Sequence, residues 1–322
     1  MNNSLDAQTP RRQFSSSRNV LMNLAGFITI TMWGLSFNSS KILLDNGMGP
    51  VEIYLYRFTL AYILILLFSH KKFRCNSWRD EGLFCLCGLT AGSIYFIAEN
   101  TALEHTLVQN VSLLTALSPL ITTILVAMMY TNENPGKGMI LGSIIAFVGV
   151  VCVIFNSPAE EGGFVFHPIG DMLSLAAAFS WSVYSLILRR LSANYDTWFM
   201  TRKTFFYGIL TALPFLVFSQ PLNNPAVLFS KTSVVFNLLF LGIGASLISY
   251  LLWSITVKFL GAVKANNFLY FQMIVTLIAS HLILGEEITA IGCIGCALII
   301  GGLWLGDWLK RKEDQKRHLK GE

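Results

Sequence analysis

Long apolar runs, each about the length of a membrane crossing, recur along the whole chain, and they restrict its fold more than any other feature. A helix needs about 20 apolar residues to cross roughly 30 Å of hydrocarbon. Laid along the 322 residues, that ruler marks ten candidate spans. They are approximately 20–44, 50–69, 82–103, 107–130, 138–156, 169–189, 199–219, 234–257, 265–284 and 288–309. Turn and charge clusters separate them, among them DNGMGP, HKKFRCNSWRDE, NENPGKG and QPLNNPAVLFSKTS. Only 13% of the residues are charged and 54% are hydrophobic, whereas soluble domains carry about a quarter charged residues. A soluble chain this apolar could not hide its surface from water. The expectation is an all-α integral membrane protein of ten transmembrane helices.

Residues 1–19 are polar and basic, and the apolar run from Val20 to Leu44 follows. That run is too long for a signal-peptide core and reads as a retained first helix. Cytoplasmic loops of membrane proteins are enriched in Lys and Arg. With the N-terminus inside, 20 of the 23 Lys and Arg fall on the cytoplasmic side, leaving Lys41, Arg57 and Lys231 outside. This bias predicts that both termini are cytoplasmic in a plasma (inner) membrane. The tail, 310–322, is expected to be a basic cytoplasmic segment.

The chain also matches itself. Under a shift of 154 residues, ALEHTLVQNVSLLTALSP from Ala102 falls on TVKFLGAVKANNFLYFQM from Thr256, and Glu133 falls on Glu287. The next apolar runs carry GSIIAFVG from Gly142 and GCALIIGG from Gly295. Near the start of each half, Trp33 matches Trp181. Such self-similarity marks a duplication. Each half holds five spans, an odd number, so the second must enter the bilayer upside down. The expected organisation is two inverted five-helix repeats, 20–156 and 169–309, joined by a linker at 157–168. In inverted-repeat transporters the site lies near the midplane between the repeats.

These features together resemble the EamA family of the drug/metabolite transporter superfamily. The residues that carry the resemblance are Trp33-Gly34, the YRF of Tyr56–Phe58, and the stretch from Tyr95 through Ala102-Leu103 to Ser118-Pro119. Glu133 and Gly142–Gly149 continue it, and Gly285-Glu286-Glu287 with Gly295–Gly302 repeat it in the second half. Two positions depart from the pattern. Met273 replaces a proline, and Arg202 or Lys203 stands where Arg57 does. The resemblance implies a ten-helix carrier, often an exporter of amino acids, metabolites or drugs.

Polar groups at membrane depth are costly and seldom face lipid. Glu99 is the sharpest of these, with Asn100 beside it and Tyr95 one helical turn earlier on the same face. A carboxylate there could take up a proton or pair with a substrate amine; otherwise it only caps a helix near the outer surface. Under the 154-residue shift Glu99 falls on Trp253, which shares a helix face with Tyr250. A cavity walled by Tyr95, Glu99, Tyr250 and Trp253 would suit an amphiphilic small molecule. Trp33, Trp181 and Tyr184 form a second aromatic group, which Asn38 would join. In span nine Asn267 and Tyr270 share a face while Gln272 points elsewhere. In span four Ser112, Thr115, Ser118 and Thr122 form a polar stripe, within which Pro119 should kink the helix. Arg57 either snorkels to the outer face or pairs with Glu99 or a substrate carboxylate. Glu133 and Glu287 read as structural, and His281, near the outer end of span nine, as interfacial rather than a proton relay.

The substrate-binding candidates are thus Trp33, Asn38, Tyr95, Glu99, Asn100, Trp181, Tyr184, Tyr250, Trp253, Asn267 and Tyr270, with Glu99 and Arg57 as a coupling pair. The expected partners are a small-molecule substrate, the lipid bilayer and protons as coupling ion, with no nucleic acid. No cofactor is expected. The six Cys, including Cys293 and Cys296, read as packing residues rather than a metal or disulfide framework. There is no Walker A motif and no cluster of catalytic groups. The reading is a secondary carrier, with a passive facilitator as the alternative and a membrane enzyme far behind.

Overall fold

In hydrocarbon a backbone has no water to bond to, so helices must satisfy its N–H and C=O groups internally. The computed structural model describes residues 16–70, 72–106, 111, 114–129, 136–154, 168–219, 222–284 and 290–320, and among these it contains helices and turns but no strand. The helices are α1 Ser16–Asp45, α2 Pro50–Phe68, α3 Trp78–His105, α4 Ser118–Met129 and α5 Gly136–Ile154 in the first half. In the second half the longer helices are α6 Pro168–Leu191, α7 Thr197–Ala212, α8 Thr232–Leu260, α9 Ala262–Leu284 and α10 Ala290–Lys320, and a five-residue helix at Pro225–Phe229 lies between α7 and α8. Among the described residues α1, α2, α3, α6, α8 and α10 are long and apolar enough to cross a membrane, and α4 and α5 are shorter apolar helices. The chain is a multi-pass membrane protein.

Local chemistry sets several of the helix ends. Pro50 opens α2, and the Glu52 carboxylate accepts from the Gly49 N–H at 3.4 Å, closing the first turn on itself. Ser77 caps α3 by accepting from the Asp80 N–H at 3.1 Å, and Asp196 caps α7 by accepting from the Phe199 N–H at 3.0 Å. Gly261, at φ 85°, is the single residue between α8 and α9; a left-handed backbone there favours glycine. The bend expected at Pro119 takes the form of a break: a turn at 116–117 precedes α4, which restarts at Ser118. Pro119 thus falls in a first turn, where its missing N–H leaves no intrahelical bond unmade. At the other end of the chain, α10 does not stop near 309 but continues to Lys320. The tail KRKEDQKRHLK consists largely of good helix formers, and Lys312 folds back over the Trp308 ring at 3.7 Å. Ser112, Glu133, Glu287, the Gly285–Glu287 stretch and the 157–167 linker lie outside the described residues.

The two halves touch in matched pairs. Helix α1 packs on α8 as α6 packs on α3; α1 packs on α9 as α6 packs on α4; α2 packs on α8 as α7 packs on α3. Each pair turns into the other when helix n is exchanged for its counterpart five helices away. Helix α5 packs on its own counterpart, α10, the most extensive contact in the molecule. Glycines let these two approach: a Cβ on Gly142 would stand 2.5 Å from the Gly302 carbonyl oxygen, and one on Gly149 would stand 2.6 Å from that of Gly295.

A candidate substrate cavity between the repeats

Helices α3 and α8 each contain a π-helical stretch, Leu89–Ile94 and Phe240–Ile248. Wider turns disturb the regular ladder of backbone bonds and recur at functional sites. Here the opposite repeat supplies donors to the loosened carbonyls. The Trp33 indole donates to Ala245 O at 2.9 Å, the Ser180 hydroxyl to Thr90 O at 2.6 Å, and the Tyr250 hydroxyl to Ala91 O at 2.5 Å. The seam is therefore pinned by hydrogen bonds as well as by rings. Trp33, Trp181 and Trp253 meet there with centroids 5.0, 5.1 and 5.6 Å apart. Tyr250 packs against Trp33 and against Phe58 and Phe205 behind it.

Beside this seam lies a cavity of about 40 Å³, measured as space open to the centre of a water molecule. A water needs about 10–15 Å³ on that measure, so the space holds a few. Helix α1 lines it with Trp33, Ser36 and Phe37; α3 with Tyr95, Phe96 and Glu99; α6 with Trp181; and α9 with Leu269, Gln272 and Met273. Thr115, Ala116 and Ser118, at the break before α4, complete the wall.

Glu99 is 7% exposed. The Tyr95 hydroxyl lies within hydrogen-bonding reach of its carboxylate, while Oε2 has no hydrogen-bond partner among the described residues. Arg57 is 1% exposed, so it does not snorkel to a surface. Its Nε donates to the Ser246 hydroxyl at 2.9 Å, and its guanidinium lies over the Phe96 ring at 4.4 Å. Arg57 and Glu99 interact electrostatically, but among the described residues no ion pair within 4.0 Å joins them.

Of the residues expected at the site, the structure brings Trp33, Tyr95, Glu99 and Trp181 together around the cavity. Tyr250 and Trp253 are fully buried in the aromatic seam behind it, and Tyr184 packs there on Trp181 at 5.2 Å. The Asn100 amide donates to Pro50 O at 3.4 Å, tying α3 to the start of α2. Asn38 is half-buried away from the cavity. Asn267 accepts from the Ser143 hydroxyl at 3.4 Å, and Tyr270 is buried among Ala116, Ala146 and Ile299. Both therefore face α5, while Gln272, on the other face of α9, reaches the cavity. Sequence reasoning had no reason to select Ser36, Phe37, Phe96 or Leu269. The first two were within reach, since they stand three and four residues beyond Trp33 on one helix face.

Each end of the bundle is tied across the repeats. At one end Tyr195 donates to Asp80 at 2.8 Å and accepts from the Asn76 N–H at 2.8 Å. Burial pushes the Tyr195 phenol up to about 12, so it stays a donor throughout the physiological range. Beside it Lys203 and Tyr207 both bond Glu81, and Arg202 donates to the Ser69 and Lys72 carbonyls. At the other end Glu52 accepts from the Asn223 N–H at 3.0 Å and its amide at 2.7 Å, and Lys231 donates to Asn46 at 3.2 Å. The first tie joins the α2–α3 and α6–α7 loops; the second joins α1–α2 to α7–α8.

Known proteins share this arrangement. A solved crystal structure superposes on the chain with a TM-score of 0.70 at 22% identity, covering 91% of this chain and 98% of its own, which makes the fold the same. The curated relatives include the "Uncharacterized transporter YdfC" of Bacillus subtilis, 26% identical over 89% of this chain and 90% of the relative. The "Probable terminal-alkyne amino-acid exporter" of Streptantibioticus cattleyicolor is 26% identical over 86% of this chain and 90% of its own. The "Probable amino-acid metabolite efflux pump" of Escherichia coli is 24% identical over 86% and 92%. The model of the EamA-like transporter family matches twice, over residues 20–155 and 168–305, once for each half. With both matches in sequence order and nearly the whole helical body covered, the chain belongs to the EamA-like transporter family.

Proposed function

We propose that the chain is a secondary transporter that exports a small metabolite, amino acid-like or another amphiphilic compound, by alternating access between two inverted five-helix repeats. In this reading ten helices cross the plasma (inner) membrane, with both termini in the cytoplasm. The observation that carries it is Glu99: a buried carboxylate, one oxygen of which has no hydrogen-bond partner among the described residues, on the wall of a cavity lined from both repeats. A buried, half-satisfied charge is costly, and a site that must bind and release a charged group gives it a use. The tied ends support the same reading. Glu81 and Glu99 are eighteen residues apart on α3, roughly 27 Å of helix, so the polar tie at Glu81 seals the end of the bundle remote from the cavity. Opening that end requires the α2–α3 and α6–α7 loops to part. The relatives named as exporter and efflux pump support the direction.

Protons are the proposed coupling ion, taken up by Glu99 when the substrate leaves. Counterflow in proteoliposomes tests the carrier: preloaded substrate accelerates uptake of label through a carrier and has no such effect through a pore. For coupling, the measurement is flux driven by a pH gradient in Glu99→Gln. A pH response that survives the substitution rules out Glu99 as the coupling group.

A further inference from the structure

We propose that the cavity selects an amine cation on an aromatic or apolar body, and that Phe96 makes this selection by holding Arg57 away from the substrate. The inference rests on the transporter reading and names the substrate class of the same site.

Among the described residues the cavity wall has one acid, Glu99, and no Lys, Arg or His. Around the acid stand Trp33, Trp181 and Tyr95, whose ring faces attract a cation in a site shielded from water. An ammonium group therefore meets a carboxylate side chain and aromatic rings on one wall. A substrate carboxylate touches no cationic side chain on that wall. It also finds the nearby hydroxyls committed: Ser36 donates to Trp33 O at 2.8 Å, Thr115 to Val111 O at 2.8 Å, and Ser118 to Thr115 O at 2.7 Å. A hydroxyl carries one hydrogen, so all three face an anion as acceptors. Neutral polar groups remain, but an anion moved out of water without a cation is heavily penalised.

The cation that could change this is close by. Arg57 lies against the Phe96 ring at 4.4 Å, and its Nη2 makes no hydrogen bond among the described residues. Phe96 is itself part of the cavity wall, and Arg57 is not. With the phenyl ring in place Arg57 contributes no contact to the cavity. With a smaller side chain there, the guanidinium gains access, and the site offers both charges that a zwitterionic amino acid requires. One ring thus separates an amine carrier from an amino acid carrier.

The test uses three probes with one phenyl body: phenethylamine, L-phenylalanine and 3-phenylpropionate. Each is measured by counterflow of label into preloaded proteoliposomes and by quenching of tryptophan fluorescence in detergent. The wild type is expected to prefer the amine over the amino acid by about tenfold or more, the gain from one charge-assisted contact, and to reject the acid. Glu99→Gln is expected to remove amine binding. Phe96→Ala is expected to shift the ratio of the first two probes toward phenylalanine by about tenfold, and Arg57→Met added to it to reverse that shift. Phe96→Leu, which keeps most of the bulk, is expected to leave the ratio near wild type and shows that the effect is not damage to the fold. A wild-type preference for phenylalanine, or an unchanged ratio in Phe96→Ala, overturns the proposal while leaving a carrier in place. Glu99-dependent amine binding without counterflow upholds the proposal and defeats the carrier. Absence of both amine binding and amine counterflow defeats the proposal itself.

Discussion

Helices α3 and α8 hold matching places in the two repeats and share a local shape, a glycine-containing π-helical stretch near mid-helix. Each is braced there by a donor from the opposite half. Beyond the π stretch their chemistry separates. Helix α3 turns Tyr95 and Glu99 toward the cavity, while α8 turns Tyr250 and Trp253 into a dry aromatic seam. The two ends of the bundle differ in the same manner. Charged Lys203, Arg202 and Glu81 close one, and the neutral amide of Asn223 on Glu52 closes the other. A duplicated scaffold needs its costly polar group only once. The second copy of that position can be spent on packing, which supplies the wall against which the first copy works.

The largest effect is expected from imposing symmetry. Trp253→Glu places a second carboxylate at the matching position, fully buried among rings, where no partner awaits it. A buried unpaired charge costs about 3–5 kcal/mol, and thermal unfolding in detergent should show the variant melting far below wild type; an unchanged melting temperature would mean that α8 is as tolerant of charge as α3. Removing the charge from α3 should do the reverse. Glu99→Gln is expected to leave stability within about 1 kcal/mol, because glutamine keeps an oxygen for the Tyr95 hydroxyl and Oε2 has no hydrogen-bond partner among the described residues, and to lower substrate exchange on the order of 100-fold, the worth of a buried charge-assisted contact.

The matched braces give a finer comparison. Ser180→Ala and Trp33→Phe each leave a carbonyl of one π stretch without its donor, at about 1–2 kcal/mol. Trp33 also lines the cavity and Ser180 does not, so exchange corrected for folded protein should fall in Trp33→Phe alone. Equal losses in both would mean that the braces, not the cavity wall, limit transport. The smallest effect is expected at the ends. Lys203→Met removes one of several partners of Glu81, whose carboxylate keeps Tyr207 and the Cys75 N–H, and should cost about 1 kcal/mol. Its signature should instead be faster thiol labelling of Cys75, whose N–H bonds Glu81. Asn223→Ala, at the other end, should leave that labelling unchanged.

Much of the molecule was legible in advance. Apolar runs, the 20-to-3 distribution of basic residues and the 154-residue shift are properties of a string. They predicted a helical membrane protein in two related halves, and the double match to one family model falls on those halves. Glu99, Tyr95, Trp33 and Trp181 were legible as well, because a carboxylate and repeat-related indoles stand out in an apolar run. The roles of Tyr250, Trp253, Asn267 and Gln272 were not. Each sits in an apolar helix with polar or aromatic neighbours on more than one face, and spacing alone does not say which face meets a cavity.

The sequence by itself determined the solvent, the element type and the repeat, because lipid acts on every residue alike and leaves its mark as a running average of hydropathy and charge. The tertiary structure alone decided which side chains face the cavity and which face one another. In an α-helix each residue turns the axis by about 100°, and π stretches inside α3 and α8 reset that count at sites no periodicity announces. The decisive contacts then join residues as far apart as Trp33 and Ala245, at 2.9 Å. A hydrogen bond or a ring contact depends on ångström distances between helices that packing sets in three dimensions, and a hydropathy average along one dimension carries no trace of it.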